Sequence, residues 1–324
     1  LRSNAQKQIK YGAKIYASGV VAFFNEPLFK ILISNYFGVN AVAYFEIALK
    51  IRGQVSGLFN KLMQPLFPYI SQLTETENII DLLEKYDIGL EIVLFASPYC
   101  LDKQDEFIEI YKKELGRLYD AVEFGIHGPY AELSAGSRDN LITQVSTYRM
   151  QQAYDVAKKM NANYVVYHNG YYPKTYSYIE WMQRTPKYWN NFLKDKKDDD
   201  IKIHLENVHE ENSFLMNELM KHIYDEKTSL CLDIGHVNVY SKVDIEDWIK
   251  SFGQYMKHMH IHNNYGDEDS HFAINKGTMD VISILNKLKD KDITISLEIT
   301  DVNELRDSLD ILYKNGFIKL RELA

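Results

Sequence analysis

From residue 76 onward, short runs rich in Val and Ile alternate with stretches whose apolar residues recur about every 3.6 positions. No other feature restricts the chain as much. The candidate strands are IGLEIVLFA (88–96), AVEFGIHGP (121–129), YVVYHNG (164–170), IKIHLEN (201–207), LCLDIGH (230–236), HMHIHN (258–263) and ITISLEI (293–299). Helices are expected over 102–118, 138–161, 177–196, 213–225, 243–256, 278–289 and 302–315. Strands that are apolar along nearly their whole length are buried on both faces, which means a parallel sheet covered by helices. Strand–helix units of this kind that close on themselves make an α/β (β/α)8 TIM barrel, and a doubly wound open sheet is the alternative. The barrel is preferred because chemistry-bearing residues end nearly every strand, whereas an open sheet gathers them at one switch point. The helix NIIDLLEKY (78–86) has no strand before it, so the first barrel strand is missing or replaced.

Residues 1–75 are of another kind and are expected to form a hydrophobic helical segment ahead of the barrel at 76–324. They carry 8 Lys and Arg against 3 Asp and Glu, while the net charge of the whole chain is -8. Stretches such as YASGVVAFF (16–24), FKILISNYFGVNAVAYF (29–45) and LMQPLFPYI (62–70) are strongly apolar, yet Asn25, Glu26, Lys30, Glu46, Lys50 and Arg52 interrupt every window long enough to span a lipid bilayer. The wording NEPLFKILISNYFGVNAVAYFEIALKIRGQVSGLFNKLMQPLFPYIS resembles an internal portion of polysaccharide flippases of the multidrug and oligosaccharide export superfamily. That resemblance covers a couple of their helices and implies a remnant or fusion rather than transport, so membrane association is expected only through this segment. No secretory signal pattern is present at the start. Two cysteines, Cys100 and Cys231, cannot build a disulfide framework, which fits a reducing, cytoplasmic compartment.

All ten histidines fall in the barrel part, and half of them end strands. In order these ends read His127 in GIHGPY, His168 in VYHNG, Glu206 in HLENVHEE, Asp233 and His236 in CLDIGH, His260 and His262 in HMHIHNN, and Glu298 in SLEIT, with Asp269 and His271 in the intervening DSH. A lone histidine on an apolar strand is ordinarily a satisfied core residue. So many imidazoles and carboxylates at one barrel rim would cost several kcal/mol without a compensating cation, so they read as ligands for a divalent ion: Zn, Mn, Co or Mg.

With these motifs the chain resembles the xylose isomerase-like TIM barrel superfamily, which contains sugar isomerases and epimerases together with the apurinic endonuclease IV branch. The resemblance covers residues 78–324. In single-metal members it implies a ligand set of Glu206, Asp233, His260 and Glu298. The endonuclease branch uses three zinc ions, and its further ligands match His127, His168, His236, Asp269 and His271, with Tyr130 after HGP also in place. Glu91 in IGLEI looks like the isomerase-type members. Asn263 and Asn264 after HIH, and INKG in place of a Gly-Glu-Gly turn, depart from the endonuclease pattern.

Two chemistries follow. In the first, the metal polarises the oxygens of a sugar or sugar phosphate while Glu206 and Glu298 remove and return a proton. His127 and His236 then bind hydroxyls, and Tyr130, His262, Asn263, Lys276 and His271 line the substrate. In the second, a multinuclear zinc site bridged by Glu206 hydrolyses a phosphodiester. The acidic barrel and the absence of a basic track near the strand ends make nucleic acid an unfavourable partner. A metal-bound module without catalysis is a third class, distinguished by having no open coordination position. No glycine-rich phosphate loop, dinucleotide fingerprint or Cys-x-x-Cys pattern is present, so no nucleotide cofactor is expected. Trp181, Trp189 and Trp248 read as core anchors.

Overall fold

The computed structural model describes residues 79–196 and 199–322, together with residue 36. The expectations for the hydrophobic helical segment and its flippase-like wording, and the domain boundary at residue 75, fall outside the described residues. Seven parallel strands form one sheet in sequence order. They are β1 (Leu90–Ile92), β2 (Phe124–His127), β3 (Tyr164–His168), β4 (Lys202–Glu206), β5 (Thr228–Asp233), β6 (Met256–Ile261) and β7 (Thr294–Leu297). An order without reversal rules out the doubly wound alternative, which would place a switch point inside the sheet. The sheet curls into a nearly closed TIM-type barrel wrapped by the intervening helices.

Each crossover helix forms where its apolar period predicts. Asn140–Met160 is capped at its start by the Asp139 carboxylate, which accepts from Leu141 N, and at its end by Asn161 in the left-handed region. Tyr178–Leu193 opens with a capping box between Ser177 and Glu180. Its apolar face buries Trp181 and Trp189, and Trp248 on Ile245–Phe252 is equally inaccessible. Such side chains dominate the free energy of burial, at roughly 25 cal/mol per Å² of apolar area.

Most elements are shorter than the sequence reading, as with Val281–Asn286 against 278–289, and in three places the element itself changes. The strand expected over 88–96 ends at Ile92, and Leu94–Ala96 is a 3-10 turn. The helix expected over 102–118 is broken at Lys103 into Pro98–Asp102 and Gln104–Leu115. The strand expected to reach His236 stops at Asp233, whose side chain accepts from His236 N at 2.6 Å and caps the helix Ile234–Tyr240. His236 therefore sits in the first turn of a helix.

β1 and β7 are the two edges of the sheet, and among the described residues no ladder joins them. Residues 79–85 are helical, as the crossover pattern requires. Leu82 and Tyr86 pack with Leu309 of the helix Val302–Lys314, and Leu297 of β7 lies against them. The N-terminal end of the barrel is tied by Arg321, whose guanidinium donates to the carbonyls of Leu83 (2.7 Å), Ile88 (2.8 Å) and Ala121 (3.0 Å). No helix among the described residues is long and apolar enough to cross a membrane.

Arg321 thus links three separate backbone segments with charge-assisted hydrogen bonds, each of which contributes about 1.5–3 kcal/mol when a charged group takes part. Arg321→Ala is expected to lower the unfolding free energy by roughly 2–4 kcal/mol in urea titration. A change within about 0.5 kcal/mol, the range of an ordinary surface substitution, would show that Arg321 does not tie the barrel.

Candidate metal centre

The strand ends deliver their side chains to one mouth. His127, His168, Glu206 and Asp233 are the last residues of β2, β3, β4 and β5. His260 is the penultimate residue of β6, and Glu298 follows β7 directly. The register sets His168 beside Glu206 and Asp233 beside His260, the latter after a slip between Leu230 and Cys231. Asp269 and His271 come from the loop after β6, and His271 holds a positive φ of 49°, uncommon for a residue with a side chain.

Around Glu206 these groups divide into three clusters. Glu206 Oε2 lies 3.4 Å from His127 Nε2 and 3.3 Å from His168 Nε2. On the other side, His260 Nδ1 faces Glu298 Oε1 at 3.1 Å, Glu206 Oε1 at 3.4 Å and Asp233 Oδ2 at 3.9 Å. The third cluster joins His236 Nε2 and His271 Nε2 to Asp269 Oδ2, each at 3.2 Å. Backbone carbonyls select the outward nitrogens: Gly128 O lies 3.0 Å from His127 Nδ1, Asn207 O 2.9 Å from His236 Nδ1, and Glu298 O 2.8 Å from His271 Nδ1. In each ring the Nδ1–H donates to the carbonyl and Nε2 is left to face the cluster.

The donor set fits a divalent cation. Both oxygens of Glu206, Asp233 Oδ2, Asp269 Oδ1 and the ring nitrogens of His260 and His262 are buried without a hydrogen-bond partner. Buried orphans of this kind are costly unless something else satisfies them. Several groups of imidazole and carboxylate atoms lie within 4.8 Å of one another, close enough to share one ion.

The electrostatics separate the two glutamates at the centre. Burial opposes charge on Glu206, but the imidazoles of His168 and His260 hold its carboxyl well below the ordinary range. Burial also acts on Glu298, and there it wins: with the Glu206 charge beside it, the carboxyl is pushed up despite His260 and His127. Burial likewise works against Asp233 and Asp269, yet both are held low, Asp233 by His236 and His262, and Asp269 by His236 and His271. His168 is pushed down by its own burial.

Other residues singled out in the sequence are placed differently. Tyr130 is stacked on His168 with ring centres 4.5 Å apart and is 41% exposed, so it borders the mouth. His262, expected among substrate contacts, is fully buried, 3.3 Å from Asp233 and 3.5 Å from Asp269, and stacks on His271 at 4.0 Å. Gly235 makes room for it, since a Cβ there would fall 1.9 Å from the His262 ring. Asn263 ties the following loop: its amide donates to the carbonyls of Ile274 and Met279, and its oxygen accepts from Asn264 N and Met279 N. Lys276 pairs with Glu304 and lies 4.1 Å over the Phe272 ring. Glu91, given no role by its position in the sequence, lies inside the barrel 3.0 Å from His260 Nε2. The signal for it in the sequence is the likeness of IGLEI to the isomerase-type members.

The chain is a parallel barrel whose mouth gathers imidazoles and carboxylates from successive strands, spaced closely enough to share an ion. Residues 69–315 match the model of the xylose isomerase-like TIM barrel family, and the chain belongs to that family. It is 28% identical over 233 residues to the uncharacterized protein MJ1311 of Methanocaldococcus jannaschii, a match spanning 68% of this chain and 78% of that one. Among solved structures it is similar to a D-tagatose 3-epimerase-like protein, with 25% identity and a TM-score of 0.58 over 69% of this chain and 86% of the other. It also shares its fold with the D-psicose 3-epimerase of Clostridium cellulolyticum H10, at 18% identity and a TM-score of 0.58 over 74% and 92% of the two chains.

The Asp269–His271 contact has a measurable signature in the metal-free chain. Burial lowers the His271 pKa, but Asp269 outweighs it and raises the group from 6.5 to about 9. A raised folded-state pKa means that the contribution to stability is complete below about pH 6.5 and is lost as the pH rises through about 9. With chelator present, proton NMR of His271 is expected to titrate near pH 9, and in Asp269→Asn to move back toward 6.5. A midpoint near 6.5 in the wild-type chain would show that the two side chains do not interact.

Proposed function

We propose that the chain is a divalent-metal-dependent isomerase or epimerase of a sugar or sugar phosphate. The observation that carries this reading is the divergence of Glu206 and Glu298. They flank the same His127 and His260 rings, and one is held charged while the other is pushed toward its neutral form. Titratable groups pushed apart in this way supply the base and the acid of a proton transfer. The similarity to a D-tagatose 3-epimerase-like protein supports the same chemistry.

Glu206, Asp233, His260 and Glu298 would hold the ion, which can be Zn, Mn, Co or Mg. When bound, it supplies Lewis acidity to adjacent carbonyl and hydroxyl oxygens of the substrate and so acidifies the neighbouring C–H. Glu206 Oε2, facing His127 and His168 rather than the His260 side, takes the proton. Glu298, as the neutral acid, returns one to the opposite side of the carbon. His127 and His236 bind substrate hydroxyls, and Tyr130 covers the sugar at the mouth. Residues 1–75 are read as a separate, non-catalytic segment and as the only route to a membrane. Two buried free cysteines fit a cytoplasmic setting.

A second reading, zinc-dependent phosphodiester hydrolysis of the endonuclease IV type, is favoured by the two outer clusters at His127 with His168 and at His236 with Asp269 and His271. Elemental analysis of the full chain purified without chelator separates the readings. One ion per chain, with solvent deuterium entering a ketose at the carbon beside its carbonyl, is the result expected for an isomerase or epimerase. Two or three zinc ions without exchange would replace it with the hydrolase. Glu298→Gln is expected to slow exchange by roughly 10²–10⁴-fold, the usual contribution of a positioned acid or base. Exchange at the wild-type rate would remove Glu298 from the mechanism.

A further inference from the structure

Glu91 lies outside the ligand set and the proton-transfer pair read above, yet its carboxylate has as many polar side-chain partners as that of Glu206. It sits on the edge strand β1 with a side chain only 9% exposed. Its Oε2 accepts from Tyr164 of β3 at 2.9 Å, from His258 Nε2 of β6 at 3.1 Å and from the Ser296 hydroxyl of β7. Its Oε1 lies 3.0 Å from His260 Nε2, within ion-pair distance although no hydrogen bond forms in this geometry. Gly125 of β2 is in register between Glu91 and Tyr164, and a Cβ there would fall 2.2 Å from the Tyr164 ring. The missing side chain is therefore what lets the tyrosine hydroxyl reach across β2 to the carboxylate. His258 is held in turn by Thr294 of β7 at 2.7 Å.

These contacts span the side of the barrel where no backbone ladder joins β1 to β7 among the described residues. One carboxylate oxygen gathers β3, β6 and β7 onto β1, and the other meets the far side of the His260 ring. The nitrogen of that ring facing Glu206, Asp233 and Glu298 is Nδ1.

We propose that Glu91 is a positioning residue: its carboxylate holds the proton on His260 Nε2, and so keeps the Nδ1 lone pair turned toward the ion, while its other oxygen latches the barrel's open edge. A carboxylate behind a ligating imidazole fixes the tautomer and ring orientation and raises the basicity of the ligand nitrogen. The proposal rests on the reading of His260 as a metal ligand. The latch stands independently of it.

The test uses the full chain and zinc alone. Zinc affinity is measured by competition with a chromophoric chelator, for the wild type, for Glu91→Gln and for the double variant Tyr164→Phe/Ser296→Ala. The double variant strips the latch from Oε2 and leaves Oε1 facing His260. Glu91→Gln is expected to weaken zinc binding by roughly 10–100-fold, the usual effect of losing such a partner. The double variant should bind within about threefold of the wild type but unfold at lower urea concentration when metal-free. Unchanged zinc affinity in Glu91→Gln overturns the positioning role, and an unchanged urea midpoint in the double variant overturns the latch.

Nitrogen-15 NMR of the histidines in the zinc-loaded wild type needs no variant and covers the case in which Glu91→Gln fails to fold. His260 protonated at Nε2 and bound at Nδ1 supports the proposal, and the opposite tautomer overturns it. A wild-type chain that takes up no zinc would sink the metal reading instead. The His260 tautomer above its pKa in the metal-free chain would then still test Glu91: a proton on Nε2 supports its role, and a proton on Nδ1 overturns it.

Discussion

Burying several charges at one end of a sheet barrel is the constraint to which the remaining features answer. A carboxylate moved from water to a protein interior loses several kcal/mol of solvation even after relaxation. Glu91, Glu206, Asp233, Asp269 and Glu298 are all at this site, and each has at least one imidazole nitrogen within 3.0–3.5 Å. Neither class of side chain is tolerable there without the other. Pairing alone does not finish the task, because both oxygens of Glu206 and one oxygen each of Asp233 and Asp269 still lack hydrogen-bond partners. The ring of His127 has already given its Nδ1–H to a backbone carbonyl, so the nitrogen facing Glu206 Oε2 is a lone pair rather than a donor in the neutral state. A surplus of acceptors converging on one place is what a cation satisfies.

The barrel meets this constraint with a divided interior. Its outer face is apolar and ordinary, with tryptophans under the helices. Its inner face toward the open edge is polar, with His204 bonded to Ser229, His258 to Thr294, and both rings stacked 5.1 Å apart. Burial pushes both imidazoles downward in pKa, and for His258 it outweighs Glu91, so neither adds a positive charge below the metal site. The hydrogen bonds of Glu91 run between strands that backbone pairing does not connect. On this side of the molecule, side chains carry a task that the ladder carries elsewhere.

Much of this was legible in the residues. Alternating strand and helix periods gave the parallel barrel, and residue type at the strand ends gave the groups that converge. The differences between the sequence reading and the placement of these residues have local causes. CLDIGH reads as one apolar strand, but an aspartate at the end of β5 is also a helix cap, and capping turned His236 into a helical residue at a different angle. His262 and Asn263 follow one another in HIHNN, and both were expected to meet substrate. One points into the cluster and the other into the loop because Asn263 pairs with Phe272 across an isolated bridge, a contact set by loop closure rather than by any period. Lys276 looked like an anion contact until Glu304, 28 positions on, was seen beside it. Glu91 was visible as an acid in a strand, but its partners lie on β3, β6 and β7, and only the closing of the sheet brings them together.

Glu206 decides how the two chemistries exclude each other. Its Oε1 faces His236 and His260, and its Oε2 faces His127 and His168. An ion held on the His260 side would draw on Oε1 and leave Oε2 as the oxygen that could take a proton from an acidified C–H, and the imidazoles around the carboxyl keep it ionised. A second ion held by His127 and His168 would draw on Oε2 as well, and Glu206 would then have no oxygen left to act as a base. In that reading the ions would supply Lewis acidity toward a phosphodiester, and Glu298 would have no proton-transfer partner. In these two readings the number of ions, rather than the identity of the side chains, would select between moving a proton and attacking a phosphorus.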